Sequence, residues 1–168
     1  MKDKYRTTRI LLMTYLILLI WIILMKTEFS FASIYRMRSL NLIPLEGTAV
    51  RNQQLDYQEI SLNVLIFVPL GIYLSILKRQ WPFWKKLLPI FFLSLLFESL
   101  QYIFSIGASD ITDLIANTVG GALGMIVYLL LSKVIKDQKR TVHFFNLLAL
   151  IVTIIFLIFC FYTFHSLY

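Results

Sequence analysis

The sequence predicts an all-α, polytopic integral membrane protein with five transmembrane helices, its N-terminus cytoplasmic and its C-terminus extracellular. Three observations carry this reading. The 168 residues are 59% hydrophobic and only 15% charged, whereas an average soluble domain is about 25% charged. The mean hydropathy is +0.78, more apolar surface than one soluble core of this length can bury. The lysines and arginines fall mainly on alternate connections between the apolar runs. Disorder is excluded by 14 Phe and 9 Tyr. With 4 Pro and 6 Gly, the chain is no collagen-like or linker sequence. Residues 1–168 read as a single transmembrane domain.

A spanning helix needs about 20 mostly apolar residues. Five stretches qualify, at about 9–25, 60–77, 87–104, 111–132 and 143–164. The first follows Lys2, Lys4, Arg6 and Arg9 and resembles a signal peptide. Its apolar run over 10–25 exceeds the usual h-region of about 7–15 residues, so an uncleaved anchor is expected. The longest hydrophilic stretch, 27–59, is expected as an extracellular loop against the membrane, with Phe29, Phe31 and Tyr35 in the headgroup zone.

Charge sets the orientation. Lys2, Lys4, Arg6 and Arg9 precede the first span, Lys78, Arg79, Lys85 and Lys86 flank the second connection, and Lys133, Lys136, Lys139 and Arg140 fill the fourth. All three groups fall on one side. The other side holds Lys26, Arg36, Arg38 and Arg51, balanced by Glu28, Glu46, Asp56 and Glu59. The positive-inside rule therefore places the N-terminus in the cytoplasm. The net charge of +7 reads as anchoring charge facing anionic headgroups, not as a nucleic-acid footprint. The single Cys160 and two His leave no Cys-based zinc site and no histidine cluster. Neither a metal nor another cofactor is expected.

Polar residues inside the spans carry the functional signal. Glu98 lies in the third span, where a charged carboxylate costs about 2.5–3.5 kcal/mol at mid-membrane. It needs a partner, a proton or water. Gln101 follows at i+3, and Ser94 and Ser105 extend the same stripe. In the fourth span Asp110, Asp113, Asn117, Gly120, Gly121 and Gly124 share one helical face. Asp110 suits an N-cap and Asp113 the first turn. Gly120 and Gly124 have the GxxxG spacing that lets a neighbouring backbone approach. The second span adds Asn63 near its outer end, then Pro69, a helix kink, and Gly71. Asn41-Leu42-Ile43-Pro44 reads as a turn at the membrane surface. With the orientation above, Asn63, Glu98, Gln101, Asp110, Asp113 and Asn117 converge on the outer half of the bilayer. A polar pocket open to the extracellular face is the expectation, with Pro69, Gly71, Gly120, Gly121 and Gly124 as packing positions.

The motifs Phe97-Glu98-Ser99-Leu100-Gln101-Tyr102, Asp110-Ile111-Thr112-Asp113 and Asn117-Thr118-Val119-Gly120-Gly121 resemble the VanZ family. So do Arg38-Ser39-Leu40-Asn41-Leu42-Ile43-Pro44 and Asn63-Val64-Leu65-Ile66-Phe67-Val68-Pro69-Leu70-Gly71. The resemblance covers about residues 9–132. Many family members carry an Arg shortly before the first Asp. Here Gly107-Ala108-Ser109 stands there, so the sequence offers no cation at that place. The resemblance implies a multi-pass protein of the bacterial plasma membrane, tied to lower susceptibility to lipoglycopeptide antibiotics such as teicoplanin. These drugs carry a fatty acyl tail and bind cell-wall precursors.

Three functions compete. In the first, the pocket engages a lipid-linked cell-wall precursor or the drug, and the bilayer and that ligand are the partners. In the second, a membrane enzyme uses Glu98, Asp110 and Asp113 on a lipid or cell-wall precursor headgroup, as acid and base or around a divalent cation. Against it, the sequence shows no phosphate-binding loop, Ser-His or Cys-His motif, and no catalytic residue is assigned. The third is a small transporter with Glu98 in a proton relay. Against it, the cytoplasmic half shows no polar trail and the chain no inverted repeat.

Overall fold

The computed structural model describes residues 5–26, 40–45, 50–51, 54–55, 57–104 and 109–166. The expected headgroup aromatics Phe29, Phe31 and Tyr35 lie outside the described residues, as do Lys2, Lys4, Arg36, Arg38, Gly107 and Ala108. Five helices dominate: α1 (Arg6–Lys26), α2 (Tyr57–Leu77), α3 (Phe83–Phe104), α4 (Ile111–Ile135) and α5 (Gln138–Ser166). All five contain a stretch long and apolar enough to cross a membrane. Four two-residue strands join them: β1 (Leu40–Asn41), β2 (Val50–Arg51), β3 (Gln54–Leu55) and β4 (Ser109–Asp110).

The helices outlast the expected spans. The third begins at Phe83 rather than 87 and the fifth at Gln138 rather than 143. An apolar count stops at the first charges, but the backbone ladder runs on through them into the headgroup zone. The stretch expected as one loop over 27–59 cedes its end to α2, which starts at Tyr57. It also contributes a strand, β1, paired in parallel with β4, and a β2–β3 antiparallel pair.

α2 and α4 form the closest helix pair, and they touch backbone to backbone. A Cβ placed on Gly71 would lie 1.9 Å from the Gly121 carbonyl oxygen. On Gly120 it would lie 2.1 Å from the Val64 oxygen, and on Gly124 2.0 Å from the Val68 oxygen. Val64 opposite Gly120 and Val68 opposite Gly124 make the two helices parallel in direction. α3 runs the other way, with Ile90 seated over Gly121. Lipid is as apolar as leucine, so close packing of this kind, rather than water exclusion, holds membrane helices together.

Around this contact α1 to α4 interdigitate through Leu19, Ile23, Phe67, Leu70, Ile90, Phe97 and Met125. Pro69 lies inside α2 and supplies no N–H for the Leu65 carbonyl. One residue along, the Ile66 carbonyl accepts from the Tyr15 hydroxyl at 2.7 Å. Tyr15 thus ties α1 to the turn that the proline disturbs. α3 contains a second proline, Pro89.

α5 attaches mainly at the opposite end of the bundle from β1 and β4. Val142 and Phe145 pack with Ile76 and Tyr128. The fully buried Thr8 donates to Asn146 Oδ1 at 3.1 Å, a polar clasp between α1 and α5. Asp137 caps α5, its Oδ1 accepting from the Lys139 and Arg140 N–H groups. Beyond Asn146 the helix is largely exposed, as a lipid-facing helix must be.

Alanine at Gly71, Gly120 or Gly124 is expected to lower thermal stability by about 1–3 kcal/mol, because the new methyl meets backbone. Gly121→Ala meets only the Ile90 side chain, which can change rotamer, so it should cost less. Thermal midpoints of the four purified variants in detergent check this order. Wild-type midpoints at Gly71, Gly120 and Gly124 would contradict the packing.

Candidate functional site

One end of the bundle gathers the polar residues, and Asp110 is their meeting point. It precedes α4 in extended conformation and caps the helix: its Oδ1 accepts from the Thr112 N–H at 2.8 Å. Its Oδ2 accepts from Asn41 Nδ2 at 3.1 Å. Its own N–H donates to Glu98 Oε2 at 2.9 Å. The 40–45 turn, the end of α3 and the start of α4 therefore converge on one residue that is 2% exposed. The expected cap is present, and it serves two neighbours besides the helix.

Glu98 is 6% exposed and so needs donors. A backbone N–H at the start of α4 is a favourable one, since the helix dipole adds positive potential there. Asn41 uses both ends of its amide. While Nδ2 donates to Asp110, Oδ1 accepts from the Ile43 N–H at 3.1 Å and shapes the turn expected at 41–44. Leu45 closes that turn with φ 63°. Its N–H donates to Thr112 Oγ1 at 3.0 Å, so the turn is fastened twice to the start of α4.

A second polar pair lies deeper. Asn117 Nδ2 donates to Ser94 Oγ at 2.9 Å, with Asn117 4% and Ser94 0% exposed. Asn117 Oδ1 is buried and has no hydrogen-bond partner among the described residues. Ser94 opposite Asn117 and Ile90 opposite Gly121 fix the antiparallel register of α3 and α4. That register carries Glu98 to the level of Asp113.

The structure therefore brings Glu98 together with Asp110, and Ser94 with Asn117. Asn63 and Gln101 are buried, Asn63 on α2 one residue before the Val64–Gly120 contact and Gln101 on α3 one turn beyond Glu98. Asp113 is half-buried in the first turn of α4. Among the described residues no three His, Cys, Asp or Glu side chains come together as a group that could hold a metal.

Sequence reasoning missed Asn41 and Thr112 as members of the site. It noticed Ser94 only as part of a stripe. Asn41 and Asp110 are 69 residues apart, and no local pattern in the chain announces their pairing.

Ser94→Ala strips Asn117 of its described partner and leaves a buried amide unpaired at both ends. A loss of about 1–3 kcal/mol is expected. The double variant Ser94→Ala/Asn117→Leu removes both polar groups and should recover part of it. Thermal unfolding of both variants decides, and a double variant less stable than the single one would contradict the pairing.

Comparison with known proteins follows the same stretch of chain. The family model described as VanZ/LLP1 matches residues 12–136, from α1 to the end of α4. The chain is 39% identical over 153 residues to Protein VanZ of Enterococcus faecium, covering 89% of this chain and 91% of that protein. No solved structure matches. The sequence motifs of the polar end lie within the matched region, and the chain belongs to the VanZ/LLP1 family.

Proposed function

We propose that this chain lowers susceptibility to lipoglycopeptide antibiotics such as teicoplanin through a polar site at the outer face of the plasma membrane. The site engages the drug's acyl-tailed body or a lipid-linked cell-wall precursor. One observation supports the reading: the buried Ser94–Asn117 pair, with Asn117 Oδ1 unpartnered among the described residues, lies one level deeper than the Glu98–Asp110 pair at the same end of the bundle. Buried polar groups cost free energy unless something satisfies them. A hydroxyl or amide N–H of a ligand matches that acceptor. Glu98 and Asp110 serve as fixed acceptors that hold this end in shape.

The orientation follows from charge. Arg6, Arg9, Lys78, Arg79, Lys85, Lys86, Lys133, Lys136, Lys139 and Arg140 lie at the end away from Asp110. The positive-inside rule makes that end cytoplasmic and the Asp110 end extracellular. A reporter active only in the cytoplasm, fused after Tyr168, should stay silent. Strong activity there would put the site on the wrong face.

The functional test is teicoplanin susceptibility of a sensitive host at equal membrane levels of each variant. Expression of the wild-type chain should raise the inhibitory concentration, and Asn117→Leu should abolish the rise. Glu98→Gln keeps an oxygen for the Asp110 N–H and should preserve it. Loss of protection in Glu98→Gln would instead support acid–base chemistry by the carboxylate. A glycopeptide without an acyl tail separates the two ligands: equal protection points to the precursor, and protection confined to teicoplanin points to the drug's tail. No protection by the wild-type chain would end the reading.

A further inference from the structure

The opposite end of the bundle carries a second site. We propose that the cleft between the α2–α3 connection and the starts of α1 and α5 binds the phosphate of an anionic phospholipid headgroup from the leaflet at that end. The cleft has a volume of about 390 Å³ and is lined by Tyr5, Ile76, Lys78, Arg79, Trp81 and Gln138, among others. That volume falls in the range of small-molecule sites, about 300–1,000 Å³.

Its cations are held in place without being neutralised. Arg79 Nη1 donates to Gln138 Oε1 at 2.7 Å, and Gln138 Nε2 donates to the Tyr5 hydroxyl at 3.0 Å. An uncharged amide thus positions the guanidinium, and most of its five donors stay available. Lys78 Nζ sits 4.9 Å from the centre of the Trp81 ring. Among the described residues neither Lys78 nor Arg79 forms an ion pair with a carboxylate. The neighbouring acid, Asp137, is engaged elsewhere: its Oδ2 lies 3.6 Å from Arg140 Nε, and its Oδ1 caps α5. A positioned cation pair with no described carboxylate partner selects an anion, and a guanidinium fork with an ammonium fits phosphate oxygens.

The surroundings select a lipid over a free ion. Phe83 and Trp84 begin α3 on the same end and are 40% and 74% exposed. They pack edge to face at 5.5 Å, the amphipathic surface found where acyl chains meet headgroups. A phosphate in the cleft would have its chains directed toward this exposed aromatic pair at the same end. Basic pockets between membrane helices bind anionic headgroups by the same physics.

The test uses the full purified chain in detergent, titrated with phosphatidylglycerol, phosphatidylcholine or inorganic phosphate, with lipid retention read by native mass spectrometry and the thermal midpoint read in parallel. Phosphatidylglycerol should be retained and raise the midpoint, and phosphatidylcholine should do neither. Lys78→Gln/Arg79→Gln should weaken phosphatidylglycerol retention about tenfold or more, as expected for loss of charge-assisted bonds. Lys133→Gln/Lys139→Gln removes the same charge at the same end but outside the cleft and should leave retention unchanged. Lys78→Gln alone, at an exposed position, gives a milder loss and serves if the double variant does not fold. Three results would overturn the proposal: equal retention of both lipids, equal loss in the Lys133/Lys139 variant, or inorganic phosphate matching phosphatidylglycerol in midpoint shift.

Discussion

A carboxylate buried among apolar helices must be given donors, and nearly everything at the polar end follows from how that need is met. Glu98 takes the N–H of Asp110. That places the end of α3 against the start of α4. Asp110 in turn spends its own carboxylate on the Thr112 N–H and the Asn41 amide. One residue therefore closes α4, anchors α3 and pins the 40–45 turn. These bonds are interdependent. Removing the Asp110 side chain uncaps a helix and takes an acceptor from Asn41 Nδ2 together, so its loss should exceed that of an ordinary surface cap.

The glycine contact makes this arrangement possible. Gly71, Gly120 and Gly124 let α2 and α4 approach until backbone meets backbone, and Gly121 makes room for Ile90 from α3. Larger side chains at Gly71, Gly120 or Gly124 would push α2 and α4 apart, and one at Gly121 would press on Ile90 of α3. α4 thus carries both the packing glycines and Asn117, the partner of Ser94. Four of the five helices share the resulting core, while α5 adds to it from the other end.

Much of this was legible in the chain, and what was not has a physical cause. Five apolar runs stand out because the bilayer demands length and hydrophobicity within each segment, and both are local properties. The helix ends were misplaced where charged residues such as Lys85 and Lys86 continue a helix beyond the apolar run. Glu98 was conspicuous because a carboxylate is expensive there, but its partner is the backbone of Asp110, which no residue pattern encodes. The parallel pairing of Leu40 with Ser109 and Asn41 with Asp110 joins segments separated by two helices. Such a contact depends on the whole bundle. Asn146 is the one amide in the fifth apolar run, and nothing local in the chain points to its acceptor role toward Thr8.

The two ends of the bundle solve the same electrostatic problem in opposite ways. At the Asp110 end, the carboxyl groups of Glu98 and Asp110 lie within the bundle and accept hydrogen bonds from protein N–H groups. At the other end, Lys78 and Arg79 stand at the surface with amide and aromatic neighbours and no carboxylate partner among the described residues. α5 belongs to this second end: its cap, its clasp to Thr8 and its contacts with Tyr128 all lie within its first turns. The family match stops at residue 136, just before that helix begins. The described hydrogen bonds of the polar end come from α3, α4 and the 40–45 turn. The cationic cleft, by contrast, needs Gln138 from α5 to hold Arg79. The cationic end should therefore depend on how α5 is attached.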